Sequence, residues 1–212
     1  MVTSAAWGQI KIDVQPRMGQ PLDGLTRAEL ARFDEGKLQF DHTFQVNEGL
    51  GPTMNQDSCS SCHNNPVGGS GSITVTRFGF TDPKTSEFDP LAELGGSLLQ
   101  AETIPVIGCP EVIPPEANTT QIRATPSTLG FGLVEAIPDG DIQANADDPP
   151  SPNVSGRVHM VEPLESPGTL RVGRFGWKAQ VATVLTFSGD ASLNEMGITN
   201  DLVMTENAPN GN

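Results

Sequence analysis

Cysteine and histidine are scarce in this 212-residue chain, three of each, yet three of the six fall in one run, Cys59-Ser60-Ser61-Cys62-His63. At those frequencies the chance expectation of such a run is on the order of one in a thousand, so it reads as a site. Two thiols separated by two residues, followed directly by a histidine, have the spacing of a covalent haem attachment. The thiols add to vinyl groups on neighbouring pyrrole rings, and the adjacent imidazole reaches the iron as proximal ligand. Cys59, Cys62 and His63 are the expected attachment residues for one covalent haem c, with His63 as the metal ligand. Two other chemistries use CxxC. A structural zinc site wants four ligands; His42 and Cys109 could complete one, but neither has the paired spacing of a ribbon or finger. A dithiol redox pair wants a βαβ context, which the flanks Pro52-Thr53-Met54-Asn55 and Asn64-Asn65-Pro66 do not supply. The distal side of the iron is either open or filled by one of His159, Met160, Met196 or Met204. A distal methionine suits electron transfer and an open position suits catalysis. Cys109 is left over, as a buried or free thiol or as a partner in an intermolecular disulfide.

The elements that must hold this site are built from an unusual composition. There are 26 acidic and 12 basic residues, a net charge of −14, with 23 glycines, 18 prolines and no tyrosine. Such acidity argues against nucleic-acid or anionic-membrane partners, which require clustered Lys and Arg. No stretch approaches the roughly 18 apolar residues of a membrane span. Met1 to Asp13 lacks the basic start, apolar run and cleavage site of a signal peptide. Haem c is attached outside the bacterial cytoplasm, so the expected location is periplasmic or otherwise exported. Glycine and proline predict turns and long irregular connections.

Among the elements, Thr26 with Glu29 three residues on forms a capping box that starts a helix. Ile73 to Phe80 is β-branched and partly alternating, which predicts a strand. Thr103 to Thr120 reads as an ordered loop, and Thr128 to Ile137 as a short apolar element of either type. Gly156 to Pro163 could be a short strand. Asp139 to Pro152 reads as an exposed acidic loop, its Asp139-Gly140-Asp141 lacking the later glycine and glutamate of an EF-hand. Trp177, Val181, Val184, Leu185 and Ser188 fall at helical spacing, which predicts a helix from Trp177 to Gly189.

The flanks of the cysteine run carry a resemblance. Gly49-Leu50-Gly51-Pro52-Thr53-Met54-Asn55 before it and Gly68-Gly69-Ser70-Gly71 after it resemble the bacterial di-haem oxidoreductases, also called thiol oxidoreductases. So do Arg123-x-x-Pro126, Gly132 to Pro138, Gly156-Arg157, Gly173 to Gln180 and Glu195-Met196-Gly197-Ile198-Thr199. The resemblance implies a second CxxCH in the relatives, beyond Asn212, and so an N-terminal haem portion here. A more distant likeness is to di-haem cytochrome c peroxidases. It implies Trp177 as the residue between haems and Glu195 as the catalytic acid/base. Those relatives carry a glutamine about ten residues after the tryptophan, where this chain has Phe187-Ser188.

The expected architecture is thus mainly α with long irregular loops and a few short strands, a cytochrome c-like haem domain over 19–212 behind an N-terminal extension, 1–18. The expected function is haem-dependent oxidoreductase or electron-transfer chemistry, with a redox protein or a second haem domain as partner. The alternative is a single-haem electron carrier with six-coordinate iron and no catalysis of its own.

Overall fold

The computed structural model describes residues 16–105, 108, 110–147 and 153–211. Most of the expected extension 1–18, and Cys109, lie outside them. Helix α1 (Arg27–Asp41) starts at the expected box: the Glu29 N–H donates to the Thr26 hydroxyl, and the Thr26 N–H donates to the Glu29 carboxylate at 2.7 Å. A two-residue strand β1 (Thr53–Met54) leads into α2 (Cys59–Cys62), a single helical turn formed by the cysteine run itself. Strand β2 (Thr74–Thr81) then forms the centre of a three-stranded antiparallel sheet, between β3 (Phe88–Asp89) and β5 (Thr119–Ala124). Its register with β5 runs from Thr74 opposite Ala124 to Gly79 opposite Thr119. Strand β4 (Glu102–Thr103) pairs with β1.

The C-terminal half begins with α3 (Phe131–Glu135) and α4 (Asp139–Asp147). A small ribbon follows, β6 (Met160–Val161) against β7 (Arg171–Val172), and then α5 (Val184–Met196). Phe131, Phe175 and Phe187 stack together, with Phe131 and Phe175 centroids 4.8 Å apart, and so tie α3 to α5. The buried apolar side chains are few: Leu50, Phe78, Leu98, Val172, Phe175, Val181, Ala182, Leu193 and Met196 among the described residues.

Three sequence expectations are corrected. The chain is not mainly α and cytochrome c-like: five helices, two of them about one turn long, share the described residues with three separate antiparallel sheets. Five of the seven strands are only two residues long, too short to leave a period in the sequence. Asp139–Asp147 is helix rather than loop, because Asp139 is anchored at its start. The guanidinium of Arg171 donates to Asp139 at 2.9 and 3.1 Å, the Arg174 guanidinium also donates to it, and the Val172 N–H donates at 2.9 Å. The helix expected from Trp177 begins at Val184 instead. Phe175 and Val181 bridge across a tight turn that holds Trp177, and Thr183 caps the helix by accepting from the Thr186 N–H at 3.1 Å.

Candidate functional site

The cysteine run is held from its N-terminal side. Ser58 caps α2, its hydroxyl accepting from the Ser61 N–H at 3.1 Å, and the Ser61 hydroxyl donates to Asp57 at 3.1 Å. Cys59 and Cys62 sit at either end of this turn as free, half-buried thiols. Burial pushes the Cys59 thiol up, and Cys62 is pushed up to about 11 by burial, by the Glu195 carboxylate and by Cys59. An attacking dithiol needs the opposite shift, toward thiolate. The pair is therefore poorly disposed for disulfide exchange.

His63 closes the turn, its backbone N–H donating to the Cys59 carbonyl at 3.0 Å. Its ring Nδ1 lies 2.8 Å from the Pro126 carbonyl. A carbonyl can only accept, so Nδ1 carries the proton and Nε2 keeps its lone pair for a metal. Ligating histidines are oriented in this way by their second nitrogen. The Phe40 ring of α1 leans on the imidazole, centroids 6.1 Å apart.

Pro126 is brought there by lacing between the loop after His63 and the strand end after β5. The Gly68 carbonyl accepts from both the N–H and the hydroxyl of Thr128, each at 2.8 Å. The Thr125 hydroxyl donates to the Ile73 carbonyl at 2.8 Å. A Cβ built on Gly71 would fall on the Cys62 carbonyl, so only glycine lets the loop close over the cysteine turn.

Glu195 approaches from the other side, in the last turn of α5. The carbonyls at a helix end lack partners within the helix, and here the segment 51–56 and the Gln100 side chain supply them. The Asn55 and Gln56 N–H groups donate to the Glu195 carbonyl at 2.7 and 3.2 Å, and the Gly51 N–H to that of Met196 at 2.9 Å. Gln100 Nε2 donates to the Asn194 carbonyl at 3.0 Å. Gly197 ends the helix in the left-handed region at φ +69, where a Cβ would strike Thr53 and Gly51. The blocks Gly51 to Asn55 and Glu195-Met196-Gly197 are thus two halves of one contact. The Glu195 side chain is half-buried. Burial raises its pKa, the Asn55 amide and Arg77 pull it back, and Asp190 raises it again.

The residues at hand fit a haem. Helix α1 has no buried side chain, and it packs against α2 while leaving Leu30 and Leu38 exposed, the latter at 72%. A helix of this length needs an apolar face to pack on. A flat apolar body held on the cysteine turn beside α1 would supply one. Two thiols and a free Nε2 on that turn are the donor set such a group needs.

Other expected site residues are placed apart from this cluster or given separate partners. Trp177 is 56% exposed, with the Arg123 guanidinium 5.6 Å from its ring centroid, so it is not core filler. His159 Nδ1 meets the Lys178 carbonyl at 3.3 Å, Met160 and Met204 are exposed, and Met196 is buried. His42 faces Glu48 at 3.1 Å. An open cleft of about 530 Å³ beside α4 and β7 includes His159 but none of Cys59, Cys62, His63 or Glu195. Sequence reasoning gave no role to Asn55, Arg77 or the Pro126 carbonyl. The Asn55 and Pro126 signals were present only as motif positions.

No curated protein and no solved structure matches the chain. The family described as "Di-haem oxidoreductase, putative peroxidase" matches residues 118–211, the span from β5 and Pro126 through Trp177 to Glu195. It is the family that the sequence motifs resemble, and it makes haem-linked redox chemistry the coarse function. Residues 118–211 of the chain are thus similar to the di-haem oxidoreductase family.

Proposed function

We propose that the chain is a c-type haem protein, attached through Cys59 and Cys62 and ligated by His63, that serves as a haem portion of a di-haem, peroxidase-like oxidoreductase. The observation that carries this reading is the Pro126 carbonyl 2.8 Å from His63 Nδ1, which engages Nδ1 as donor and leaves Nε2 as the nitrogen available to a metal beside two half-buried thiols. Haem bound there supplies an iron that accepts and donates single electrons and, with an open side, a place for peroxide.

The chain's own residues do the rest. Cys59 and Cys62 fix the group, and the Phe40 ring and α1 shield it. Reduction of hydrogen peroxide breaks the O–O bond, takes two electrons from a reduced electron-donor protein and two protons, and releases two waters. Glu195, its carboxyl pushed up by burial, takes a proton from one peroxide oxygen and returns it to the other. Trp177, exposed with the Arg123 guanidinium over its ring, is the residue proposed to meet a second haem domain or redox partner. A net charge of −14 suits a basic partner. Haem c attachment makes the periplasm or another exported location the proposed site of action.

The absorption spectrum of the exported, haem-loaded protein tests the catalytic part. A high-spin ferric band that shifts on adding cyanide or peroxide is expected. A low-spin spectrum indifferent to both would instead indicate a six-coordinate electron carrier.

A further inference from the structure

We infer that Asn55 is a positioning residue for Glu195: it fixes the carboxylate so that Oε1, not Oε2, carries the transferred proton. The inference rests on the reading of Glu195 as the proton-moving acid. Asn55 is 6% exposed, and its amide orientation is set without ambiguity. The Ala101 N–H can only donate, and it lies 3.1 Å from Asn55 Oδ1. The NH₂ end must therefore face Glu195, where it donates to Oε2 at 2.8 Å. The Asn55 backbone N–H grips the Glu195 carbonyl at 2.7 Å, so both ends of Glu195 are held by one residue. Glu195 Oε1 has no hydrogen-bond partner among the described residues and does not belong to the fully enclosed, unpaired atoms.

A carboxylic acid whose one oxygen accepts a fixed N–H bond keeps its proton on the other oxygen. The NH₂ group of Asn55 has no lone pair to receive that proton, so Oε2 stays an acceptor. Asn55 is four residues before Cys59 and belongs to the segment that caps α5. The attachment turn and the acid are thereby registered to each other through a single side chain. Misplacing a reacting group by about 1 Å can cost on the order of 10²-fold in rate.

The test compares Asn55→Asp, Glu195→Gln and the double variant as full-length, haem-loaded protein. Asn55→Asp keeps the acceptor for the Ala101 N–H and removes the donor to Glu195. Its peroxide kcat is expected to fall roughly 10- to 100-fold, with KM for peroxide within about twofold. The infrared C=O band that Glu195→Gln deletes is expected to move in Asn55→Asp. The double variant, which rebuilds the bond with donor and acceptor exchanged, is expected to recover thermal stability but not turnover. Asn55→Ser, smaller and neutral, carries the same readouts if Asp at that position does not fold. An unchanged kcat or an unmoved band in the folded variant would overturn the role of Asn55. Wild-type turnover in Glu195→Gln would overturn the underlying reading instead.

Discussion

His63 Nδ1 and the Pro126 carbonyl, 63 residues apart in the chain, are joined by a 2.8 Å hydrogen bond that sets the tautomer of the imidazole. That bond links the cysteine turn to the segment matched by the family, and it depends on how tightly the loop after His63 folds over Cys62.

Gly71 is where that folding is most exposed to change. A Cβ there meets the Cys62 carbonyl, whereas one at Gly140 in α4 meets nothing within 4 Å. Gly71→Ala is expected to lower the yield of haem-loaded protein several-fold. Gly140→Ala should leave it unchanged and stabilise α4 by up to about 1 kcal/mol. Haem content per mole of purified protein and a thermal melt read both.

Asp139 anchors the C-terminal half through Arg171 and Arg174, the second of which also donates to the carbonyls of Val134, Glu135 and Ile137. The Arg171 hydrogen bonds, with the Val172 N–H and both guanidinium charges, bring the Asp139 carboxyl down to about 2. Its stabilising contribution is therefore complete above the unfolded-state value, roughly 3.9, and is lost as pH falls through about 2. Asp139→Asn is expected to cost about 2 kcal/mol at neutral pH and to flatten the acid limb of stability. Urea melts between pH 7 and pH 2 check it.

Glu111 behaves in the opposite sense. It is buried, its Oε2 accepts from the Gln100 N–H, and its Oε1 finds no partner among the described residues. Burial raises its pKa. The protonated form thus favours the fold, and its contribution is full below the unfolded value and fades as pH rises through the folded one. Glu111→Gln, neutral at every pH, is expected to gain on the wild type as pH climbs from 4 toward 8. Parallel pH–stability curves for the two proteins would sink this.

Trp177 offers a test of the electron route. Because it is exposed, Trp177→Ala is expected to change stability by no more than about 0.5 kcal/mol and to leave haem loading intact. The rate of reduction by a second haem domain or a basic electron-donor protein should fall. Stopped-flow reduction at two ionic strengths separates that loss from general charge steering. An unaltered rate would make Trp177 an ordinary surface residue.

How much of this was readable beforehand depends on the sequence range of each signal. The Thr26–Glu29 box and the cysteine run are local, and both were legible from spacing alone. Strand β2 was legible from its β-branched run, but β5 was not, because Thr119 to Ala124 becomes a strand by pairing with β2 across a long loop. Helix α4 was hidden since its anchor is supplied by Arg171 and Arg174, more than 30 residues on. Helical spacing from Trp177 misled because the turn at Phe175–Val181 and the Thr183 cap override it. The mainly α expectation failed for the same reason: two-residue strands such as β1 and β4 leave no period in the sequence. At the site, Cys59, Cys62 and His63 were visible, while the Asn55–Glu195 bond spans 140 residues and was not.

The most direct measurement is the intact mass and pyridine haemochrome spectrum of the protein, expressed in a bacterium that exports it and attaches haem c. One covalent haem per chain is expected, surviving denaturation and acid extraction, weakened in Cys59→Ser and lost when Cys62→Ser is added. Purified chain with two free thiols or bound zinc, and no haem, would contradict it.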